Sequence, residues 1–137
     1  MGRAQVILLD THAAIWFAID KGLGRQSQRI ANKALADDCL AVSAISFWEM
    51  AMLIAKGRLR AIDSADETRA EMLAAGLREL PLTGDIAILA AQLQNLNGDP
   101  ADRIIAATAI AHGAVLITAD AKLLQWRHRL KRQDANQ

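Results

Sequence analysis

DPADRIIAATAIAHGAVLITAD, residues 99–120, is the stretch on which the fold turns. Asp99 followed by Pro100 reads as an N-cap and a proline at the first helical position, where its missing N–H costs nothing. The Ala/Ile-rich middle continues as a helix over 100–112, and Gly113 stops it. The run AVLIT (114–118) is uninterrupted and apolar, as expected of a strand buried on both faces of a parallel sheet. Asp120 then opens a last helix. A helix that feeds straight into a doubly buried strand is half of a βαβ unit, and it sets the pattern to seek in the rest of the chain.

The pattern recurs upstream. VILLD (6–10) reads as a first strand, followed by a helix through AAIWFAI (13–19). SQRIANKALADD (27–38) places Ile30, Ala34 and Leu35 at helical spacing, CLAVS (39–43) is a second strand, and SFWEMAMLIAKG (46–57) is a helix closed by Gly57. Asp66 to Gly76 reads as helical, LREL (77–80) as a third strand stopped by Pro81, and 85–98 as a helix carrying Ile86, Leu89, Leu93 and Leu96. WRHRLKRQDANQ (126–137) shows no strand pattern, and about the last ten residues are expected to form a tail. The expectation is one α/β domain over 1–137, with a parallel sheet covered on both faces.

Composition narrows the classes. The 137 residues are 53% hydrophobic, which favours a packed core over disorder. No apolar run approaches the ~20 residues of a membrane span, and MGRAQVILLD does not read as a signal peptide. A cytoplasmic protein is expected, with its single cysteine, Cys39, a small core residue. A net charge of +1 does not by itself point to nucleic acid. Two basic patches, Arg127/Arg129/Lys131/Arg132 and Lys56/Arg58/Arg60, read either as solvated helix ends or as phosphate contacts. The tryptophans 16, 48 and 126 and Phe47 are expected in the core, with partner-facing exposure as the alternative.

The carboxylates each have a local explanation. Asp10 ends the first strand and can cap the next helix, Ser46 with Glu49 fits a capping box, Asp102 suits the first turn of its helix, and Asp120 can cap the last one. Capping does not require them to converge, yet all strand C-termini of a parallel sheet share one edge, where ligands bind. Two carboxylates ~4 Å apart repel by roughly 4 kcal/mol at an effective dielectric of about 20. A divalent cation turns that repulsion into binding, and an all-oxygen set suits Mg²⁺ or Mn²⁺. His12, His112 and His128 show no zinc-like spacing with Cys39. His12, two residues after Asp10, reads as a substrate contact or a polar residue of a first helical turn. Arg103 is free to pair with Asp99 at i, i+4, to reach a phosphate, or to hold a carboxylate.

LLDTHAAIW (8–16), VSAISFWEMAMLIAKGRL (42–59) and residues 99–120 together resemble the PIN-domain ribonucleases, more narrowly the VapC-type toxins of toxin–antitoxin pairs. The last block is the most specific. The resemblance implies a three-layer αβα fold around a mainly parallel sheet and an acidic site at Asp10, Glu49, Asp102 and Asp120. Asp99 matches the first acid of a DPxDR form, while Thr118 and Thr11 match hydroxyl positions beside the last and first acids. It further implies metal-dependent hydrolysis of RNA (a tRNA or another structured RNA), a homodimer, and a cognate antitoxin. The chain departs from the family at its C-terminus, where no closing strand is visible. Two other classes compete: a noncatalytic interaction domain in which every acid is a cap, and a phospho-receiver-like Mg²⁺-binding domain. The receiver wants a carboxylate pair after the first strand, whereas Asp10 stands alone there. A dinucleotide-binding enzyme lacks its Gly-rich turn after VILLD.

Overall fold

Strands buried on both faces need helices on both sides, and the computed structural model, which describes residues 5–137, has that arrangement. In chain order the elements are β1 (Ile7–Leu9), α1 (Thr11–Ala18), α2 (Arg25–Ala36), β2 (Leu40–Ser43), α3 (Ala44–Ala55), α4 (Ala65–Ala75), β3 (Arg78–Leu80), α5 (Gly84–Gln92), α6 (Pro100–His112), β4 (Val115–Thr118), α7 (Ala121–Gln125) and β5 (Lys131–Asp134). The five strands form one sheet in the order β3-β2-β1-β4-β5, every neighbouring pair parallel. The reading of the chain start falls partly on residues 1–4, which lie outside the described residues. No helix among the described residues is long and apolar enough to cross a membrane.

Alternation along the strands divides the interior into two cores. Leu8, Ala41 and Leu116 point to one face, where they meet Ile86, Ala90, Ile105, Ala109 and Leu123 of α5, α6 and α7. Ile7, Leu9, Leu40, Val42 and Ile117 point to the other, against Ala13, Ala14, Ile15, Ala31, Ala34 and Met72 of α1, α2 and α4. Cys39 is buried on that second side, as expected. The small residues of α6 (Ala106, Ala107, Ala109, all fully buried) let its backbone lie close to the sheet.

The order places a topological switch beside β1, because the chain winds from β1 to β2 and β3 on one side and to β4 and β5 on the other. Open α/β sheets bind ligands at such a point, outside the strand C-termini. The order also differs from the 2-1-3-4-5 of flavodoxin-like receivers, which removes the structural basis of the phospho-receiver reading.

Four local expectations are corrected. β5 occupies Lys131–Asp134, where no strand and a tail were expected. It is a half-exposed edge strand of Lys-Arg-Gln-Asp, so it carries no apolar pattern, and its pairing with β4 alone defines it. Ser46 and Glu49 do not form a capping box. Ser43 is the N-cap of α3, its Oγ accepting from the Ile45 N–H at 3.2 Å, so the helix starts at Ala44 and Glu49 stands in its second turn. Gly57 does close α3 in a left-handed conformation (φ +68°), with the Arg58 N–H donating to the Leu53 carbonyl. The helix read over 85–98 ends at Gln92, and Leu93 turns extended (ψ 128°). Finally, Trp48 is 52% exposed rather than in the core.

Candidate metal centre

Asp10 is the first residue past β1 and the N-cap of α1. Its Oδ1 accepts from the Ala13 N–H at 2.9 Å, and its Oδ2 accepts from the Thr118 hydroxyl at 2.6 Å. Thr118 ends β4, is fully buried, and also accepts from the Asp120 N–H at 3.0 Å. One hydroxyl therefore ties the two loops that flank the switch point. Asp120 caps α7 through the Lys122 N–H at 2.9 Å. Asp99 caps α6 through the Asp102 N–H at 3.0 Å, with Pro100 at the helix start. The three caps are real, and the capped helix ends converge.

Glu49 arrives from α3. The Thr11 hydroxyl lies within hydrogen-bond reach of a Glu49 carboxylate oxygen and 3.0 Å from the Ser46 hydroxyl. An ionised carboxylate only accepts, so Thr11 spends its single proton on Glu49 and accepts from Ser46. Ser46, buried and one turn before Glu49, thus orients the orienting group. Sequence reasoning took it for a cap; only the spacing of three, which puts both residues on one helix face, hinted at shared duty.

Asp10, Thr11, His12, Trp16, Glu49, Asp99, Asp102 and Asp120 line one cavity of about 380 Å³. Within it, one carboxylate oxygen from each of Glu49, Asp99 and Asp102 lies within 4.8 Å of the other two. Asp99, expected first as a cap, thus belongs to the tightest trio. His12 is exposed at the rim, its ring 6.2 Å from that of Trp16. Arg103 is the sequence-based candidate that the structure takes elsewhere. Its guanidinium donates to the carbonyls of Ala90, Ala91, Leu93 and Leu96, satisfying the orphan carbonyls where α5 ends. With its donors committed there, it neither pairs with Asp99 nor faces the acids.

Burial is the first reason that Asp10, Glu49 and Asp102 all hold their protons more tightly than free carboxyls. For Asp10 the Thr118 hydrogen bond opposes this, and for Glu49 the Thr11 bond does. Asp102 is pushed up to about 7 by burial and then by the charges of Asp99, Asp120 and Glu49. Among the described residues the two ion pairs, Lys33–Asp37 and Arg69–Glu79, involve none of the five acids. A set of hard oxygen donors, crowded and without a lysine or arginine ion pair, fits a divalent cation.

The sequence matches the PIN domain family over residues 7–128. It is 38% identical over 124 residues to Ribonuclease VapC22 of Mycobacterium tuberculosis, covering 89% of this chain and 92% of that protein. In structure it is similar to VapBC2 from Rickettsia felis bound to a promoter DNA fragment, with a TM-score of 0.69 at 16% identity, covering 94% of this chain and 98% of that one. A toxin–antitoxin complex from Klebsiella pneumoniae is similar at a TM-score of 0.58 and 25% identity, covering 88% and 92%.

Proposed function

This chain belongs to the PIN domain family, and on that premise we propose that it is a metal-dependent endoribonuclease, the toxin of a toxin–antitoxin pair. The observation that carries the reading is the meeting of five carboxylates, none of them in an ion pair with lysine or arginine, at the switch point of the sheet. The relative named a ribonuclease supports the activity, and the complexes of similar fold support an antitoxin as partner. Action on RNA in the cytoplasm and a homodimeric form complete the proposal.

Asp10, Glu49, Asp102 and Asp120, with Asp99 at the rim, are the residues that would hold the ion, and an all-oxygen set favours Mg²⁺ or Mn²⁺. When bound, such a cation supplies acidity to an attacking water and positive charge for the scissile phosphate. The protein's own part is to keep these oxygens fixed. Thr118 holds Asp10 and the turn to Asp120, while Ser46 and Thr11 hold Glu49. Fixed donors cost no reorganisation as charge develops on the phosphate. His12, at the rim, is placed to meet the RNA strand.

The test is expression of the chain alone beside its Asp10→Asn variant. Wild type should arrest growth and cleave structured RNA only with Mg²⁺ or Mn²⁺ present. The variant, shown folded by circular dichroism, should do neither. Equal harmlessness and equal inactivity of the two folded proteins would defeat the reading.

A further inference from the structure

A second cavity of about 420 Å³ lies beside the acidic one, and the proposed activity gives it no role. Its floor is Leu96 and Trp126, both buried, with the Trp126 indole N–H donating to the Gln94 carbonyl at 3.0 Å. Its walls carry the exposed side chains of Asn97, Gln125, Lys122 and Arg127. Among the described residues none of these four side chains has a hydrogen bond or ion pair, whereas neighbouring Arg132 is committed to the carbonyls of Leu123 and His128. Two links join the cavities. Asn97 stands two residues before Asp99, and Lys122 two residues after Asp120, so on each side the separation is at most ~7 Å along the chain. That is a span one nucleotide step of a strand covers.

We propose that the Asn97/Lys122/Gln125/Arg127 cavity is the subsite for the nucleotide flanking the scissile phosphate of a single-stranded RNA segment. The proposal rests on the ribonuclease reading. The two free cations bind backbone phosphate beside the five carboxylates, which repel it. The two free amides present paired donor and acceptor groups to a base edge, as an edge-reading pocket requires. The floor beneath them is pinned through Trp126, whose indole N–H is held by the Gln94 carbonyl.

The experiment measures affinity of a single-stranded RNA by fluorescence anisotropy in EDTA, which withholds the metal that cleavage needs, and separately cleavage of a randomised RNA pool with Mg²⁺ or Mn²⁺. Lys122→Gln/Arg127→Gln should lower affinity and shrink the salt slope of log K by about 1.4, two contacts at roughly 0.7 each for single strands. Between about 50 and 200 mM salt, wild-type affinity should then fall roughly sevenfold more than that of the double variant. Asn97→Ala and Gln125→Ala should shift which base flanks the cut. Binding that depends on Lys122 and Arg127 without cleavage by wild type would sink the nuclease reading, and with it the placing of this cavity beside a scissile phosphate, leaving only an RNA-binding cavity. Cleavage with an unchanged salt slope and unchanged base preference in the variants would overturn the subsite alone. It also falls if the charge variants leave RNA affinity intact but weaken binding of a glutamate-rich peptide, since the cavity then serves a protein partner.

Discussion

Replacing Asp102 with Asn should stabilise the metal-free protein at neutral pH and destabilise the metal-loaded one. The carboxyl moves from an ordinary 3.8 to about 7, which at 1.36 kcal/mol per tenfold change in proton affinity is about 4 kcal/mol of cost for the ionised form. Asp102 is only partly buried, and the repulsion is shared with Asp99, Asp120 and Glu49, so solvent screening and the remaining charges cut the recoverable part to roughly 2 kcal/mol. Asn also gives up the attraction of a first-turn carboxylate for the α6 dipole, about 0.3–1 kcal/mol. The repulsion wins, leaving a net gain of about 1–2 kcal/mol, or roughly 3–6 °C in Tm for a domain of this size. Because the folded state binds this proton more tightly than the unfolded chain, the contribution of Asp102 to the metal-free wild type is fully present below about pH 4 and is lost as pH rises to about 7. Asp10 and Glu49 are raised in the same sense, so the variant's profile is flatter rather than flat. Urea unfolding in EDTA across pH 4–8 reads this directly. Excess Mg²⁺ or Mn²⁺ should reverse the order, since a ligand at 100 times its Kd adds about 2.7 kcal/mol to the protein that binds it. A variant less stable than wild type in EDTA at pH 8 would refute the crowding argument.

Three further substitutions test the supports of the site. Thr118→Val keeps the shape but removes the donor to Asp10 and the acceptor for the Asp120 N–H, and should cost about 2–4 kcal/mol in urea unfolding together with most RNA cleavage. Arg103→Ala strips the carbonyls at the end of α5 and should cost about 2–3 kcal/mol, with faster amide exchange over residues 90–97. Cleavage per folded molecule should survive it. Gly24→Ala would set a Cβ 2.2 Å from the Gln137 carbonyl carbon and 2.5 Å from the Asn136 carbonyl, so the segment after β5 must leave the α2 N-terminus, where Gln26 and Ser27 donate to the Gln137 oxygen. Limited proteolysis should then cut within 131–137 well before it cuts the core.

Much of the fold and of the site is legible because its signals are local. The helix at 100–112 has its cap, its proline and its terminal glycine within fifteen residues, and the structure reproduces those bounds. Asp10, Asp99 and Asp120 are readable as caps for the same reason. Ser43, not Ser46, caps α3 because the helix follows β2 directly and starts two residues before the 46–57 that periodicity assigns to it, and a choice between two serines three apart depends on where β2 ends in its pairing with β3. Arg103 offered three partners by sequence and took a fourth, carbonyls up to thirteen residues away, because α5 and α6 pack face to face.

The sequence by itself determined the order of strands and helices, the burial of the parallel strands on both faces, and which acids stand at strand and helix ends. Those follow from periodicity and capping over a few residues. Only the tertiary structure decided that β5 is a strand, since its ladder with β4 involves partners 16 residues away and its side chains carry no pattern. It also decided that five acids share one cavity and that Asp99, Glu49 and Asp102 are its closest set. Convergence is a property of sheet order and helix packing. Repulsion among the carboxylates opposes it, and the burial of two apolar cores overcomes that repulsion.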